Sequence, residues 1–265
     1  MHRFTNFVEC GPLITAFLAN FTVGSPLHAA TVAACAVVIV VVIRIGLRAK
    51  RRGDATAVTR WVAGLGLLAW IVQQVVAFGF DWKPAHSWPL HICDLAGVLG
   101  PLALLTQARL LRTTVYFWAL GLAIWGVITP TLWKGPETLT FWLFWINHGG
   151  VILFACYDVA VRGYRPTLAD WGMACVVSLA YVAVVVPLNL ANPGWNYGYL
   201  GNLSLSQKTP LDILPAWPWR LLAIEVLGAL MMLHAWLPWG VIQWRERRRN
   251  TRSEPAAGPQ KPRTA

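Results

Sequence analysis

The chain alternates long uncharged apolar runs with short polar or basic breaks. A helix needs about 20 apolar residues to cross the ~30 Å hydrocarbon layer of a bilayer. Seven runs near that length are predicted, at 26–43, 61–80, 89–108, 113–132, 138–157, 171–190 and 219–244. The breaks are a basic segment at 44–60, a short loop at 81–88, Arg109 to Arg112, a turn at 134–137, Arg162 to Arg165, and a long loop at 191–218. Before the first run, Gly11 to Phe21 forms an apolar patch that reads as an interfacial helix or an extension of the first span. After the last, residues 245–265 are basic and rich in Pro, Ser and Ala, and read as a disordered cytoplasmic tail. The expected fold class is all-α, a polytopic membrane bundle of about seven transmembrane helices within residues 1–244.

Charge refines this picture. Only 12% of residues are charged, against about 25% in a typical soluble domain. Lys and Arg collect on the cytoplasmic side of membrane proteins. With the N-terminus outside and the C-terminus inside, seventeen of the 22 Lys and Arg fall on the cytoplasmic side. Only Arg3, Lys83, Lys134, Lys208 and Arg220 fall outside. The net charge of +11 is therefore read as topology in a multi-pass cell-membrane protein and not as nucleic-acid binding. No cleavable leader is read. Trp61, Trp82, Trp88, Trp133, Trp217, Trp219 and Trp244 fall near the expected interfaces, as an aromatic belt does. Trp125, Trp142 and Trp145 lie within spans, where they line a cavity or pack. The five cysteines are odd in number and form no CxxC, which argues against a disulfide framework and a zinc ribbon. Cys35, Cys156 and Cys175 read as small buried hydrophobes.

One stretch breaks the apolar pattern in a way topology does not explain. Pro89-Leu90-His91-Ile92-Cys93-Asp94-Leu95 sets three groups able to carry a proton or a metal within four residues at the start of a span. Ionisable groups in hydrocarbon normally face a bundle interior or a wet cavity. A second such group is His148, in Phe144-Trp145-Ile146-Asn147-His148. At 1.5 Å per residue Cys93 and His148 lie roughly 6 Å and 10–15 Å below the same face, so both belong to the outer half. An imidazole that takes a thiol proton generates the reactive thiolate. If the stretch is helical, His91 and Cys93 diverge while His91 and Asp94, three apart, are neighbours and form a supporting pair. If it is extended, His91 and Cys93 share a face.

A metal site built from His91, Cys93, Asp94 and His148 is the rival chemistry. The spacing matches no common zinc signature, and a helix does not present the first three together. A Cys10–Cys93 disulfide and a purely structural role are the remaining readings of these groups. No metal or cofactor is assigned. The loop after the sixth run carries Asn196-Tyr197-Gly198-Tyr199-Leu200 and Leu211-Asp212, then Trp217-Pro218-Trp219. Long ordered loops often form lids or site walls; the other reading is a re-entrant anchor for the last span. Asn147, Asn196 and Tyr197 are candidates to stabilise an oxyanion, with Asp212 as a further supporting residue. A small transporter or lipid-binding protein is the non-enzymatic alternative. Internal repeats would favour a transporter, and none is evident.

The blocks Trp88–Asp94, Phe144–His148, Asn196–Leu200 and Leu211–Trp219 resemble the bacterial YwaF-like integral membrane proteins and their eukaryotic relative, transmembrane protein 164. The resemblance implies a seven-helix bundle. It also implies a cysteine-dependent phospholipid acyltransferase in which Cys93 matches the nucleophile and His148 the intramembrane histidine. The androgen-dependent lipid hydrolases look similar in plan, with Thr in place of Cys, so acyl-ester hydrolysis is the sister expectation. The expected partners are phospholipids or lysophospholipids.

Overall fold

A computed structural model describes residues 21–80, 82–132, 134–202 and 210–253. Eight helices, apart from two short 3-10 turns, follow one another among the described residues: α1 Pro26–Arg52, α2 Ala55–Gly79, a short α3 Pro84–Ser87, α4 Ile92–Thr106, α5 Arg109–Ile128, α6 Leu139–Ala160, α7 Leu168–Ala191 and α8 Trp219–Ser253. Among the described residues there is no extended sheet, so the all-α class holds. Six helices, α1, α2 and α5 to α8, are long and apolar enough to cross a membrane. The third predicted run is the exception, because α4 has 15 residues and begins at Ile92 rather than Pro89. A residue before proline is pushed out of the α region. Trp88, before Pro89, is extended at φ −69° and ψ 137°. His91 is still extended at φ −74° and ψ 149°, so the helix starts only after it.

The helix ends also depart from the expected ones, for identifiable reasons. The 44–60 segment is almost wholly helical. Lys and Arg are good helix formers, and α1 runs through them until Gly53 turns left-handed at φ 86°. There Gly53 N–H bonds to Lys50 O and Asp54 N–H to Ala49 O, which closes the helix with its own carbonyls. α5 stops at Ile128, short of Leu132, because Thr129 precedes Pro130 and leaves the helical region at ψ 65°. α8 runs on to Ser253 where a disordered tail was expected from 245. Residues 11–20 of the N-terminal patch, Cys10, Trp133 and residues 254–265 lie outside the described residues.

The main core is formed where α4, α5, α6 and α7 meet, and α1, α2 and α8 pack around it with most of their apolar surface facing outward. Close approach depends on glycine. The Phe154 ring of α6 lies against Gly66 of α2 and Gly100 of α4, and a Cβ at either position would overlap it. α4 is therefore pressed between its neighbours along its length. A smaller cluster of Phe21, Val127, Leu132, Phe141 and Trp145 closes one end. His28 ties it together, accepting from Gly24 N–H at 3.0 Å and donating to the Val127 carbonyl at 2.8 Å. Trp145 thus packs, while Trp125 and Trp142 face outward.

Polar side chains lock the opposite end. Arg109 grips Asp170 through two bonds of 2.9 and 2.7 Å. Asp170 also accepts from Thr113 and completes a capping box with Thr167 at the start of α7. Arg112 pairs with Asp158 at 2.8 Å and lies over the Tyr164 ring. Burial pushes the Tyr164 phenol up, so it stays neutral and shares a hydrogen bond with Thr113.

Candidate functional site

The late start of α4 defines the site. Cys93 is the second residue of α4, in the first turn, where backbone N–H groups have no partner within the helix. Before it, Trp88 and His91 are extended and the Leu90 N–H closes a tight turn onto the Trp88 carbonyl at 2.8 Å; within a membrane such irregular backbone is tolerated only where it is satisfied by protein or water. Here phenols supply the partners. Tyr181 of α7 donates to the Leu90 carbonyl at 2.8 Å. The Tyr197 hydroxyl accepts from Trp88 N–H at 3.1 Å and donates to the Pro84 carbonyl at 2.9 Å.

Asp94 faces the other way. Its Oδ1 accepts from Gln73 of α2 at 3.0 Å and from Asn147 of α6 at 3.4 Å. Trp70 donates to the Asp94 backbone carbonyl at 2.9 Å. The His91 and Asp94 side chains are therefore not paired with each other: His91 stands at the N-cap of α4, outside the helical repeat, and turns to the loop after α7 instead. Its Nδ1 accepts from Gly198 N–H at 3.4 Å, and its ring lies 5.1 Å from Tyr197 and 6.0 Å from Tyr199.

α4 and α6 run in the same direction along their seam. Asp94 and Gly97 meet Asn147, and further along Gly100 meets Phe154. Asp94 and Asn147 point at each other across it. The residue before Asp94 and the residue after Asn147 then turn to one side, because each helical step rotates by 100° in the same sense. Those residues are Cys93 and His148, and the side is that of α5. A Cβ added to Gly126 of α5 would sit 2.5 Å from His148 Nε2. Among the described residues Cys93 and His148 share no hydrogen bond. His148 is 8% exposed, its ring stacks on Phe144, and its Nδ1 bonds to the Phe144 carbonyl at 3.0 Å. A carbonyl only accepts, so Nδ1 carries the proton and Nε2 is left as a base.

The other candidate residues divide sharply. Asn196 accepts from Gly201 N–H, and the Tyr197 backbone is clamped by Asn189 through two bonds of 3.0 and 2.9 Å. Both shape the loop; the Tyr197 hydroxyl already donates to the Pro84 carbonyl, and the Asn196 bond uses its carbonyl oxygen. Asp212 falls in the turn Pro210–Ile213, within the loop that leads to α8. Three further residues join the site that were not singled out from the sequence. Tyr181 and Tyr199 both lie within electrostatic reach of Cys93, and Glu225 of α8 within reach of Tyr181. Burial pushes the Tyr199 phenol up, so it remains a neutral hydroxyl, and it reaches Thr131 at 3.5 Å. The available signal was polarity inside an apolar run, which Glu225 shows. Cys35, Cys93, Cys156 and Cys175 are free thiols. Among the described residues no group of three or more His, Cys, Asp or Glu converges on a metal position.

A family model matches residues 23–236, which takes in every helix but the end of α8. The chain belongs to the TMEM164 family. This family match covers the first turn of α4, His148 and the Asn196–Leu200 turn alike. An uncharacterized protein of Treponema pallidum (strain Nichols) is 26% identical over 167 residues, covering 60% of this chain and 64% of that protein. The match thus spans just under two thirds of the length of the curated relative. No solved structure matches. Membership and the six apolar helices make this an integral, multi-pass membrane protein.

Proposed function

We propose that this protein is a membrane-embedded enzyme acting on lipid acyl esters, with Cys93 as nucleophile and His148 as base. The observation that carries the reading is the bond from His148 Nδ1 to the Phe144 carbonyl, which leaves Nε2 as a base; helical rotation from the Asp94–Asn147 contact turns it to the same side of the α4–α6 seam as the free Cys93 thiol. His148 takes the thiol proton, through a Cys93 rotamer change or one bridging water. The sulfur bonds to the ester carbonyl carbon. The ester C–O bond then breaks, the lysolipid oxygen leaves with the proton from His148, and a thioester remains. An acceptor hydroxyl attacks the thioester, gives its proton to His148, and the released thiolate recovers it. A lysolipid acceptor makes the enzyme a phospholipid acyltransferase, and water makes it a hydrolase. The membrane lipid is the partner in either case.

The same reading takes α4 with its non-helical lead-in as a seventh crossing. The helix spans about 22 Å at 1.5 Å per residue, and residues 88–91 lengthen it at the start. With seven crossings, a reporter fused after Ala265 should read as cytoplasmic, and one at 134–137 as external. The reverse pattern moves the site to the other leaflet.

The assay that tests the chemistry treats the purified protein in lipid nanodiscs with an acyl electrophile and maps the modified residue by mass spectrometry. Acylation confined to Cys93 is expected; acylation spread evenly over the cysteines defeats the reading. The base has its own test. Gly126→Ala forces the imidazole away from its place, and a displacement near 1 Å costs about 10²-fold in rate. Turnover should fall by that order while iodoacetamide still alkylates Cys93. Unchanged turnover removes His148 from the mechanism.

A further inference from the structure

We infer that His91 is the neutral electrophile of this site, donating an Nε2–H hydrogen bond to the carbonyl oxygen of the acyl group that Cys93 attacks. The inference rests on the thioester reading above and assigns the oxyanion donor which that reading leaves open. A neutral imidazole carries one N–H, and the partner of one ring nitrogen fixes which nitrogen holds it. Gly198 N–H can only donate, so His91 Nδ1 is the acceptor and Nε2 carries the proton. His148 has the opposite arrangement, because its Nδ1 faces a carbonyl. One histidine therefore presents a lone pair and the other an N–H, the division that acyl transfer requires.

Position supports the assignment. His91 caps the helix whose first turn holds Cys93, and it lies within electrostatic reach of His148. Tyr197 and Tyr199 wall its ring on the loop side. Of the nearby side chains, Tyr181 donates to the Leu90 carbonyl, Tyr197 to the Pro84 carbonyl and Asn147 to Asp94, while the first-turn backbone N–H groups of α4 stand beside His91 as companion donors. The donor that orients His91 is itself held in an unusual backbone. Gly198 has φ 65°, where only glycine is unstrained, and a Cβ there would meet the Tyr181 hydroxyl at 2.5 Å. Tyr199 follows at φ 61°, left-handed without being glycine. Strain of this kind persists where the surroundings over-determine it, and it clusters at functional sites. The outer turn Asn196–Leu200 thus sets the tautomer of His91.

In the step itself, the sulfur forms a bond to the carbonyl carbon and the C=O π pair moves to oxygen. The Nε2–H bond to that oxygen strengthens without proton transfer. The pair returns when the ester C–O bond breaks. Donors of this kind are worth about 10²–10³ in rate.

Two measurements test the role. Nitrogen-15 NMR of histidine-labelled protein in nanodiscs, assigned with His91→Gln, should show His91 protonated at Nε2 and His148 at Nδ1. A proton on His91 Nδ1 overturns the inference. Kinetically, His91→Phe should slow acylation of Cys93 by about 10²–10³-fold. Alkylation of Cys93 by iodoacetamide, which forms no oxyanion, should be essentially unchanged. His91→Gln, which keeps an N–H donor, should recover part of the acylation rate. If acylation and alkylation fall together, or if His91→Phe acylates normally, the role is wrong. Wild-type protein that is alkylated but never acylated at Cys93 overturns the thioester reading itself, and this control separates the two failures.

Discussion

Cys93→Ser is expected to remove lipid turnover and acyl labelling while the detergent-solubilised protein stays folded. The substitution keeps the shape of the side chain but exchanges a thiol, with a usual pKa of ~8.5, for a hydroxyl that is far harder to ionise. His148→Gln should lower turnover by about 10²–10⁴-fold, the usual contribution of a positioned base. Gln also keeps a donor for the Phe144 carbonyl, so stability should change little. Cys35→Ser and Cys175→Ser should be nearly silent. Cys35 lies against Gly149 and Cys175 within reach of Glu225, and among the described residues neither shares a hydrogen bond with Cys93 or His148. Full turnover by Cys93→Ser would falsify the nucleophile assignment. Equal losses in all the cysteine variants would indicate misfolding instead of chemistry.

The largest effect on stability should come from the opposite end, at Asp158. Arg112 and Asp158 are 15% and 6% exposed in their side chains, so the pair is effectively dry. Asp158→Leu leaves the Arg112 guanidinium buried without its counter-charge, a defect that costs about 3–5 kcal/mol. Unfolding by SDS titration in mixed micelles should show this loss. The double variant Arg112→Leu with Asp158→Leu should recover most of it, because a dry ion pair roughly breaks even with apolar packing. A single-variant loss below about 1 kcal/mol would mean that water reaches the pair and screens it. Neither substitution touches the α4 first turn, so residual activity per folded molecule should be near normal.

The spans were legible because lipid imposes one rule on every residue facing it, and a run such as Trp171 to Leu190 obeys that rule without interruption. Their ends were less so. Arg44 to Arg52 read as a loop because charge normally marks one, yet those side chains extend a helix and Gly53 ends it. The location of the candidate site was also visible, since His91, Cys93, Asp94 and His148 are polar where hydrocarbon is expected. Their partnerships were not. Whether His91 meets Asp94 or Gly198 depends on a helix starting at Ile92 instead of Pro89, a shift too small for a hydropathy pattern to register. Tyr181 in an apolar run is indistinguishable from packing until its hydroxyl is seen to hold the Leu90 carbonyl. Arg112 and Asp158 lie 46 residues apart in sequence, and only the α5–α6 contact pairs them.

The brevity of α4 is a matter of punctuation. A helix spanning the full ~30 Å of hydrocarbon would need about five more residues at its start. Helix propagation is easy once a turn exists, whereas nucleation is hard. Pro89 keeps the residue before it out of the helical region, so α4 cannot propagate back through Trp88. Cys93 therefore lies near a helix start instead of mid-helix, two residues from a histidine that stands outside the helical repeat. Where the candidate thiol falls in its helix is thus encoded in one imino acid that touches no chemistry.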